Sequence, residues 1–329
     1  MSPLRIGVVG VGSLGFHHAR IARELPDTEF AGIHDIDAQR LEEVARELEV
    51  EAHTELHGLL DAADAVVIAV PTESHEAVAV EALRRGIHTL IEKPIAPSLE
   101  AADAILSANT EGAVVQVGHV ERFNAAIRAA EPYLEELLFV ESHRLAPFGP
   151  RGTDVAVVLD LMIHDLDLVL SLARRPVTAI AAAGIPVLTP RPDIANARLE
   201  FEGGAVANLT ASRVSMERLR KFRFFQPSGY LSLDLAAGRG EFLRLKDGVE
   251  LEPGRHIDAG SLLGLVERIE LTGDEQEPLR SELDAFVAAI RNDAPVVVSG
   301  EDGRRALGVA LEIVERIERH VADTNTARA

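Results

Sequence analysis

The chain of 329 residues contains no cysteine, and its basic residues are far outnumbered by its acidic ones. The lack of cysteine excludes disulfides, thiolate catalysis and cysteine-ligated zinc. With 33 Lys and Arg against 53 Asp and Glu, the formal net charge is −20, which disfavours nucleic acid and anionic membranes as partners. No stretch approaches the ~18 apolar residues of a membrane span. The start, MSPLRIGVVGVG, lacks the pattern of a secretory signal, so we expect a cytoplasmic protein.

Length and patterning predict two domains, 1–120 and 121–329. The first alternates short apolar strands with amphipathic helices, which is typical of an α/β Rossmann fold with a doubly wound parallel sheet. Its predicted strands are 4–9, 30–33, 65–70, 88–91 and 113–118. The predicted helices include 38–48, 74–85 and 98–107.

The second predicted domain is α+β, with a large, mostly antiparallel open sheet that serves substrate binding and oligomerisation. Its predicted strands are 136–145, 177–188, 194–213, 222–225, 229–234 and 241–245. A strongly apolar helix, 155–172, interrupts them. Two terminal helices, 278–291 and 302–320, could pack back on the first domain.

A glycine-rich loop directly follows the first predicted strand and precedes the first helix. Gly10, Gly12 and Gly15 form G-x-G-x-x-G, which permits a tight turn, close approach of a pyrophosphate and close helix–strand packing. The N–H groups of Ser13 and Leu14 would then face the phosphates. Three glycines can also simply make a turn, but their position favours a dinucleotide.

The end of the second strand indicates which dinucleotide. Asp35 lies twenty residues after Gly15, where a carboxylate would accept hydrogen bonds from the adenosine ribose. The same carboxylate would repel a 2′-phosphate, and the next residue is Ile36 rather than an arginine. The sequence therefore favours NAD over NADP, although Asp35 could also be a plain turn residue.

Polar residues follow the third and fourth strands, whose carboxyl ends should open on the ligand crevice. Lys93 could reach a substrate hydroxyl and relay a proton, or it could be a surface cation beside a turn. Thr72 or Ser74 could cap the next helix. Alternatively, the segment 71–75, which includes Pro71 and His75, could line the cofactor.

Asp160 and His164 lie four residues apart on the apolar helix 155–172, and Asp167 shares their face. Polar groups on so apolar a helix must be hydrogen-bonded or they cost several kcal/mol. The pair could be purely structural. It could also be a general base with its orienting carboxylate, which oxidation of a secondary alcohol requires. Without a metalloprotease-like histidine spacing, we expect no metal.

Four segments resemble, in order and spacing, the glucose–fructose oxidoreductase/inositol dehydrogenase (Gfo/Idh/MocA) family. They are the loop 10–15, Pro71-Thr72-Glu73-Ser74-His75, Glu92-Lys93-Pro94 and the Asp160/His164 pair. The resemblance implies an NAD-dependent oxidoreductase acting on CH–OH groups. It also implies that Lys93, Asp160 and His164 handle the proton, and that Glu92 contacts the nicotinamide end of the cofactor. Homodimers or homotetramers are a further implication.

Two other segments resemble a narrower branch of that family, the bacterial UDP-N-acetylglucosamine 3-dehydrogenases. They are 118–124, with Arg122 and Asn124, and 151–154, with Arg151; Ala125 stands where the family usually has proline. The resemblance implies oxidation at C3 of UDP-N-acetylglucosamine to a ketone, and an aminotransferase of the same pathway as a partner. Arginines at 122, 144, 151 and in the segment 213–223 would suit a diphosphate, or they could lie on a solvated or subunit face.

The sequence is also compatible with three other functions. The chain could oxidise a free sugar or polyol such as inositol, and it could be an NAD-dependent glycoside hydrolase with no net redox change. It could also be a dinucleotide-binding regulator without catalysis, although such a protein would not need Lys93 together with Asp160 and His164.

Overall fold

The structure, a computed structural model, describes residues 2–149, 155–246, 248–249, 264–274 and 276–328. Arg151, predicted to bind substrate, lies outside the described residues. The chain forms two compact units. The first comprises Met1–Arg122 with Gln276–Gly308, and the second comprises Phe123–Glu275 with Val309–Ala329. No helix of the described ranges is both long and apolar enough to cross a membrane.

The first unit contains a five-stranded parallel sheet in the order β2-β1-β3-β4-β5, which confirms the predicted Rossmann fold. The strands are β1 Leu4–Val9, β2 Thr28–His34, β3 Ala65–Ile68, β4 His88–Glu92 and β5 Val115–Gly118. The helices of this unit are α1 Ser13–Ala22, α2 Ala38–Leu48, α3 Leu56–Ala62, α4 His75–Arg84, α5 Leu99–Ala108 and α8 Pro278–Ile290. All four residues of β3 are buried, as expected of a central parallel strand covered on both faces.

Helix α8 belongs to the core of the first unit although it lies more than 150 residues after β5. Leu279, Leu283 and Phe286 repeat at helical spacing and join the buried cluster around Ile6 and Val8 of β1. Burying each such side chain contributes roughly 1.5–3 kcal/mol. Helix α8 is thus fixed against the sheet by its apolar face.

Helix α2 illustrates how local sequence fixes an element of this unit. Asp37 is its N-cap, and the carboxylate accepts hydrogen bonds from the main-chain N–H groups of Gln39 and Arg40. Glu49 ends the helix in a left-handed conformation. Buried Leu41, Val44 and Leu48 form its inner face.

The second unit contains an eight-stranded sheet in the order β13-β12-β11-β10-β6-β9-β8-β7. Its pairs are antiparallel except β6–β9, which confirms the predicted mostly antiparallel sheet. The strands are β6 Phe139–Leu145, β7 Val177–Ile185, β8 Ile194–Phe201, β9 Val206–Ser212, β10 Leu219–Gln226, β11 Gly229–Asp234, β12 Arg239–Leu245 and β13 Val266–Thr272. The predicted strand 194–213 is wrong as one element, because Gly203 and Gly204 adopt positive φ and turn the chain between β8 and β9.

The described helices that begin in the second unit are α6 Ala125–Ala130 and α7 Ile163–Ala173. Helix α6 packs on β11 to β13 and α7 on β6 and β9. Ala125 is the first residue of α6, a position that proline also tolerates. The last helix, α9 Gly300–Arg328, runs from the first unit into the second.

Candidate active site

The carboxyl edge of the five-stranded sheet collects most of the predicted site residues of the first unit. β1 leads into the glycine loop, β3 into Pro71 and β4 into Lys93. β5 leads into a short 3-10 helix, Val120–Phe123, which contains Arg122. Because the strands are parallel, these connections all leave the sheet at the edge where such folds bind ligands.

The glycine loop is tight at Gly10 and Gly15 and open at Gly12, which is compatible with a bound pyrophosphate. Gly10 has φ +84°, and a Cβ there would lie 2.8 Å from the main chain of Ala69. A Cβ on Gly15 would overlap the carbonyl oxygen of Gly10, whereas one on Gly12 would meet nothing within 4 Å. Gly12 is also the N-cap of α1 and supplies no capping side chain. The first N–H groups of α1, including those of Ser13 and Leu14, are therefore suited to phosphate oxygens.

Asp35 is fixed against the glycine loop. Its Oδ2 accepts a hydrogen bond of 2.7 Å from the Val11 N–H, and its Oδ1 accepts one of 2.9 Å from the Asp37 N–H. Arg40 Nε donates to the Val11 carbonyl oxygen over 2.9 Å. Each Asp35 oxygen retains a second lone-pair direction, so the carboxylate can hold the loop and still accept from ribose hydroxyls.

The segment after β3 forms a 3-10 turn, Thr72–Ser74, whose N-cap is Pro71. Ser74 is the N-cap of α4, but its side chain makes no capping hydrogen bond. His75, predicted to contact the cofactor, is buried, with Nδ1 3.0 Å from the Pro94 carbonyl oxygen and Nε2 3.0 Å from that of Val70. Burial lowers the pKa of His75, while these carbonyl contacts oppose the shift. His75 thereby links the end of β3 to the turn after Lys93.

Glu92, at the end of β4, is largely buried and has two hydrogen-bonding partners. Its Oε1 lies 2.7 Å from His18 Nε2, and its Oε2 accepts a 3.1 Å hydrogen bond from the Lys93 N–H. A Cβ on Gly118 would lie 3.0–3.1 Å from the Glu92 carboxyl atoms, so glycine leaves room for this side chain. Fully buried Glu282 of α8 lies beside the pair, because one ligand atom of each of the three residues falls within 4.8 Å of the others.

Sequence reasoning did not find His18 or Glu282. A signal existed for each: His18 follows Gly15 by three residues, and Glu282 stands between Leu279 and Phe286 on an apolar helix. Neither signal shows that residues separated by 264 positions meet at Glu92.

In the second unit, Asp160 lies in a π-helical turn, Val158–Met162, directly before α7, and His164 lies in the first turn of α7. Both residues are half-buried, whereas Asp167 is buried. π-helical turns within helices are rare and occur frequently at functional sites. Asp165 accepts two hydrogen bonds from Arg144, at 2.8 and 2.9 Å.

Several polar groups considered for substrate binding have partners within the second unit. Asn124 caps α6 by accepting from the Ala126 N–H, and its Nδ2 donates to the Leu235 carbonyl oxygen. Arg144 pairs with Asp165, as described above. The other such contacts are Arg213 with the Val155 carbonyl oxygen and Arg223 with Glu141. These contacts stabilise the unit, and substrate binding by Asn124 stays a prediction.

The first unit thus combines a glycine loop, a helix start and a carboxylate after the second strand, a set that is typical of dinucleotide-dependent oxidoreductases. Comparison with family models agrees. Residues 4–119 match the oxidoreductase family with the NAD-binding Rossmann fold, and residues 116–231 match the GFO/IDH/MocA C-terminal domain. The chain belongs to the Gfo/Idh/MocA family of NAD-dependent oxidoreductases, which confirms the predicted family and cofactor.

Individual relatives point to two substrate classes. The chain is 37% identical to the UDP-N-acetylglucosamine 3-dehydrogenase of Acidithiobacillus ferrooxidans, over 97% of this chain and 98% of that one. It is 28% identical to the scyllo-inositol 2-dehydrogenase (NAD(+)) of Bacillus subtilis, over 94% and 92% of the two chains.

Solved structures give the same picture of the fold. The structure of the Acidithiobacillus ferrooxidans enzyme matches with a TM-score of 0.88 at 35% identity, over 97% of this chain and 99% of that chain. The scyllo-inositol dehydrogenase of Lactobacillus casei, with NAD(H) and scyllo-inositol bound, matches with a TM-score of 0.76 at 21% identity, over 96% and 97% of the two chains. The second similarity is one of fold.

Proposed function

We propose that this protein oxidises the C3 hydroxyl of UDP-N-acetylglucosamine, giving the 3-keto sugar and NADH. The observation that carries the proposal is the 37% identity to a UDP-N-acetylglucosamine 3-dehydrogenase over nearly the whole of both chains. The segment 118–124 supports it from the sequence, since it places Arg122 directly after the carboxyl end of β5. A guanidinium there suits a diphosphate through paired hydrogen bonds.

The proposed chemistry divides between binding and proton transfer. Bound NAD supplies the hydride acceptor. The N–H groups at the start of α1 hold its pyrophosphate, Asp35 accepts from its ribose, and Pro71, Thr72 and Glu92 line its path along the sheet edge. These binding roles are part of the proposal.

Oxidation of a secondary alcohol also releases the hydroxyl proton, which a basic group must accept. We assign this proton to Lys93 or His164, with Asp160 fixing the orientation of His164. The main chain of Lys93 is held in place, because its N–H donates to Glu92 and the next residue, Pro94, contacts His75. The π-helical turn likewise defines where the Asp160 side chain leaves the helix.

A free polyol is the second candidate substrate, because inositol dehydrogenases match over more than nine-tenths of the chain at lower identity. The two candidates differ in the nucleotide. An enzyme for a UDP-sugar needs a site for the UDP group, whereas oxidation of a free polyol does not require one. Competition by UDP therefore separates them.

The test measures NADH formation with a panel of UDP-sugars and free polyols. We expect turnover with UDP-N-acetylglucosamine, inhibition by UDP, and a ketone at C3 of the product. In Lys93→Met, turnover should fall by orders of magnitude while NAD binding stays nearly intact; Lys246→Met, at an exposed lysine of the second unit, is the matched control. Turnover with inositol that UDP does not inhibit would favour the second candidate.

The proposal extends to the setting of the reaction. A 3-keto sugar is the substrate type that an aminotransferase converts to an amino sugar, so we propose such an enzyme as the next step. We further propose a homo-oligomer acting in the cytoplasm. Sedimentation of the purified protein would test the oligomer, assay of the product with an aminotransferase would test the next step, and cell fractionation would test the location.

A further inference from the structure

Three titratable side chains meet inside the first unit; Glu92 is proposed to line the NAD path, whereas His18 and Glu282 have no part in the reaction described so far. His18 of α1 and Glu282 of α8 are both 0% exposed, and Glu92 of β4 is 7% exposed. One nitrogen or oxygen atom from each lies within 4.8 Å of the other two. Two carboxyl groups at this separation, both buried in the protein, repel each other strongly if both are ionised.

Hydrogen bonding distinguishes the two carboxyl groups. Glu92 Oε2 accepts a 3.1 Å hydrogen bond from the Lys93 N–H, and its Oε1 lies 2.7 Å from His18 Nε2, which is a donor in one imidazole tautomer; both contacts are available to a carboxylate. Both oxygens of Glu282 are buried, and within the described part of the chain no donor reaches them. An ionised carboxylate is too costly in such a place, so the proton belongs on Glu282.

The groups around Glu282 support this assignment. From the packed elements, α1 contributes His18 and β4 contributes Glu92. Gln116 of β5 is a neutral amide, and its Nε2 donates to the Glu282 main-chain carbonyl oxygen over 3.1 Å. Burial, and then the negative charge of Glu92, raise the pKa of Glu282 well above its ordinary value.

We propose that Glu282 is a positioning residue that holds a proton at neutral pH, and that this neutral acid leaves Glu92 as the single anion on which His18 and the Lys93 main chain are fixed. The consequence for activity rests on the proposed function, since it acts through Lys93. Loss of the Glu282 proton at alkaline pH would place a second negative charge beside Glu92. That charge would displace Glu92 and, with it, the start of the Lys93 segment.

Infrared spectroscopy tests the protonation without any substrate. The carbonyl stretch of a protonated carboxyl group lies apart from the bands of carboxylates. We expect such a band at neutral pH in the wild-type protein and in the control Glu42→Gln, which changes an exposed glutamate of α2. The band should be lost in Glu282→Gln. In Glu282→Asp, which keeps an acid at this position and serves if the first variant folds poorly, the band should be shifted. A band that neither substitution alters, or no band at neutral pH, would overturn the inference.

Kinetics test the positioning role. Gln mimics the protonated acid, so kcat of Glu282→Gln at neutral pH should stay within about twofold of wild type. The alkaline decline of kcat should move to higher pH, because this side chain can no longer ionise. An unchanged alkaline decline would overturn the positioning role. If no sugar of the panel is oxidised, the proposed function fails, while the infrared result still decides the protonation of Glu282.

Discussion

Replacing Asp35 by alanine tests the cofactor site more sharply than any change to the glycines. The carboxylate holds the Val11 N–H at 2.7 Å and the Asp37 N–H at 2.9 Å, and it is expected to accept from the ribose. Hydrogen bonds to a charged group contribute about 1.5–3 kcal/mol each. Loss of the ribose contact alone should therefore weaken NAD binding roughly tenfold to a hundredfold. The preference for NAD over NADP should fall further, because the charge that repels a 2′-phosphate is gone.

The assay titrates the protein with NADH or NADPH and follows the fluorescence of the nicotinamide. The protein has no tryptophan, so tryptophan emission does not contribute to the signal. Asp37→Ala is the matched control, since it removes the cap of α2 two residues away and should cost about 1 kcal/mol of stability without changing the NADH-to-NADPH preference. If Asp35→Ala binds NADH as tightly as wild type, Asp35 is only a turn residue.

Two further predictions concern buried acids of the second unit. Burial opposes ionisation of Asp193, but hydrogen bonds from the N–H groups of Thr189, Leu188 and Val187 lower its pKa overall. Ionised Asp193 therefore stabilises the fold at any pH above its pKa in the unfolded chain, and this stabilisation is lost as the pH falls through its pKa in the folded protein. Asp193→Asn should flatten the dependence of the unfolding free energy on acid pH. An equal dependence in both proteins would contradict this. Arg144→Met removes the cation that pairs with buried Asp165, so it should lower the free energy of unfolding in denaturant by about 3–5 kcal/mol. The double variant Arg144→Met/Asp165→Leu should recover much of that loss, because no buried charge is left. A double variant no more stable than the single one would refute this account.

The features predicted well from sequence are those whose cause is local. The turn requires glycine at position 10 and the close contact requires it at position 15, while Gly12 borders open space that a pyrophosphate could enter. The run Ala65–Ile68 forms a central strand because all its residues are apolar, which can be seen from the local sequence.

The features that sequence did not predict depend on residues far apart in the chain. Glu282 lies beside Glu92 only because α8 packs back into the core of the first unit. β13 was missed because its alternation of charged and apolar residues gains meaning only from pairing with β12. The cap that Asn124 makes with the Ala126 N–H is local, but its second hydrogen bond, from Nδ2 to the Leu235 carbonyl oxygen, joins residues more than a hundred positions apart.

NADH formation from UDP-N-acetylglucosamine, measured with wild-type protein and with Lys93→Met, tests the central claim most directly. We predict UDP-sensitive turnover in the wild type, with the ketone at C3, and a loss of orders of magnitude in the variant at nearly unchanged NAD affinity. Full turnover in Lys93→Met, or a wild-type protein that binds NAD and oxidises no member of the panel, would contradict the account.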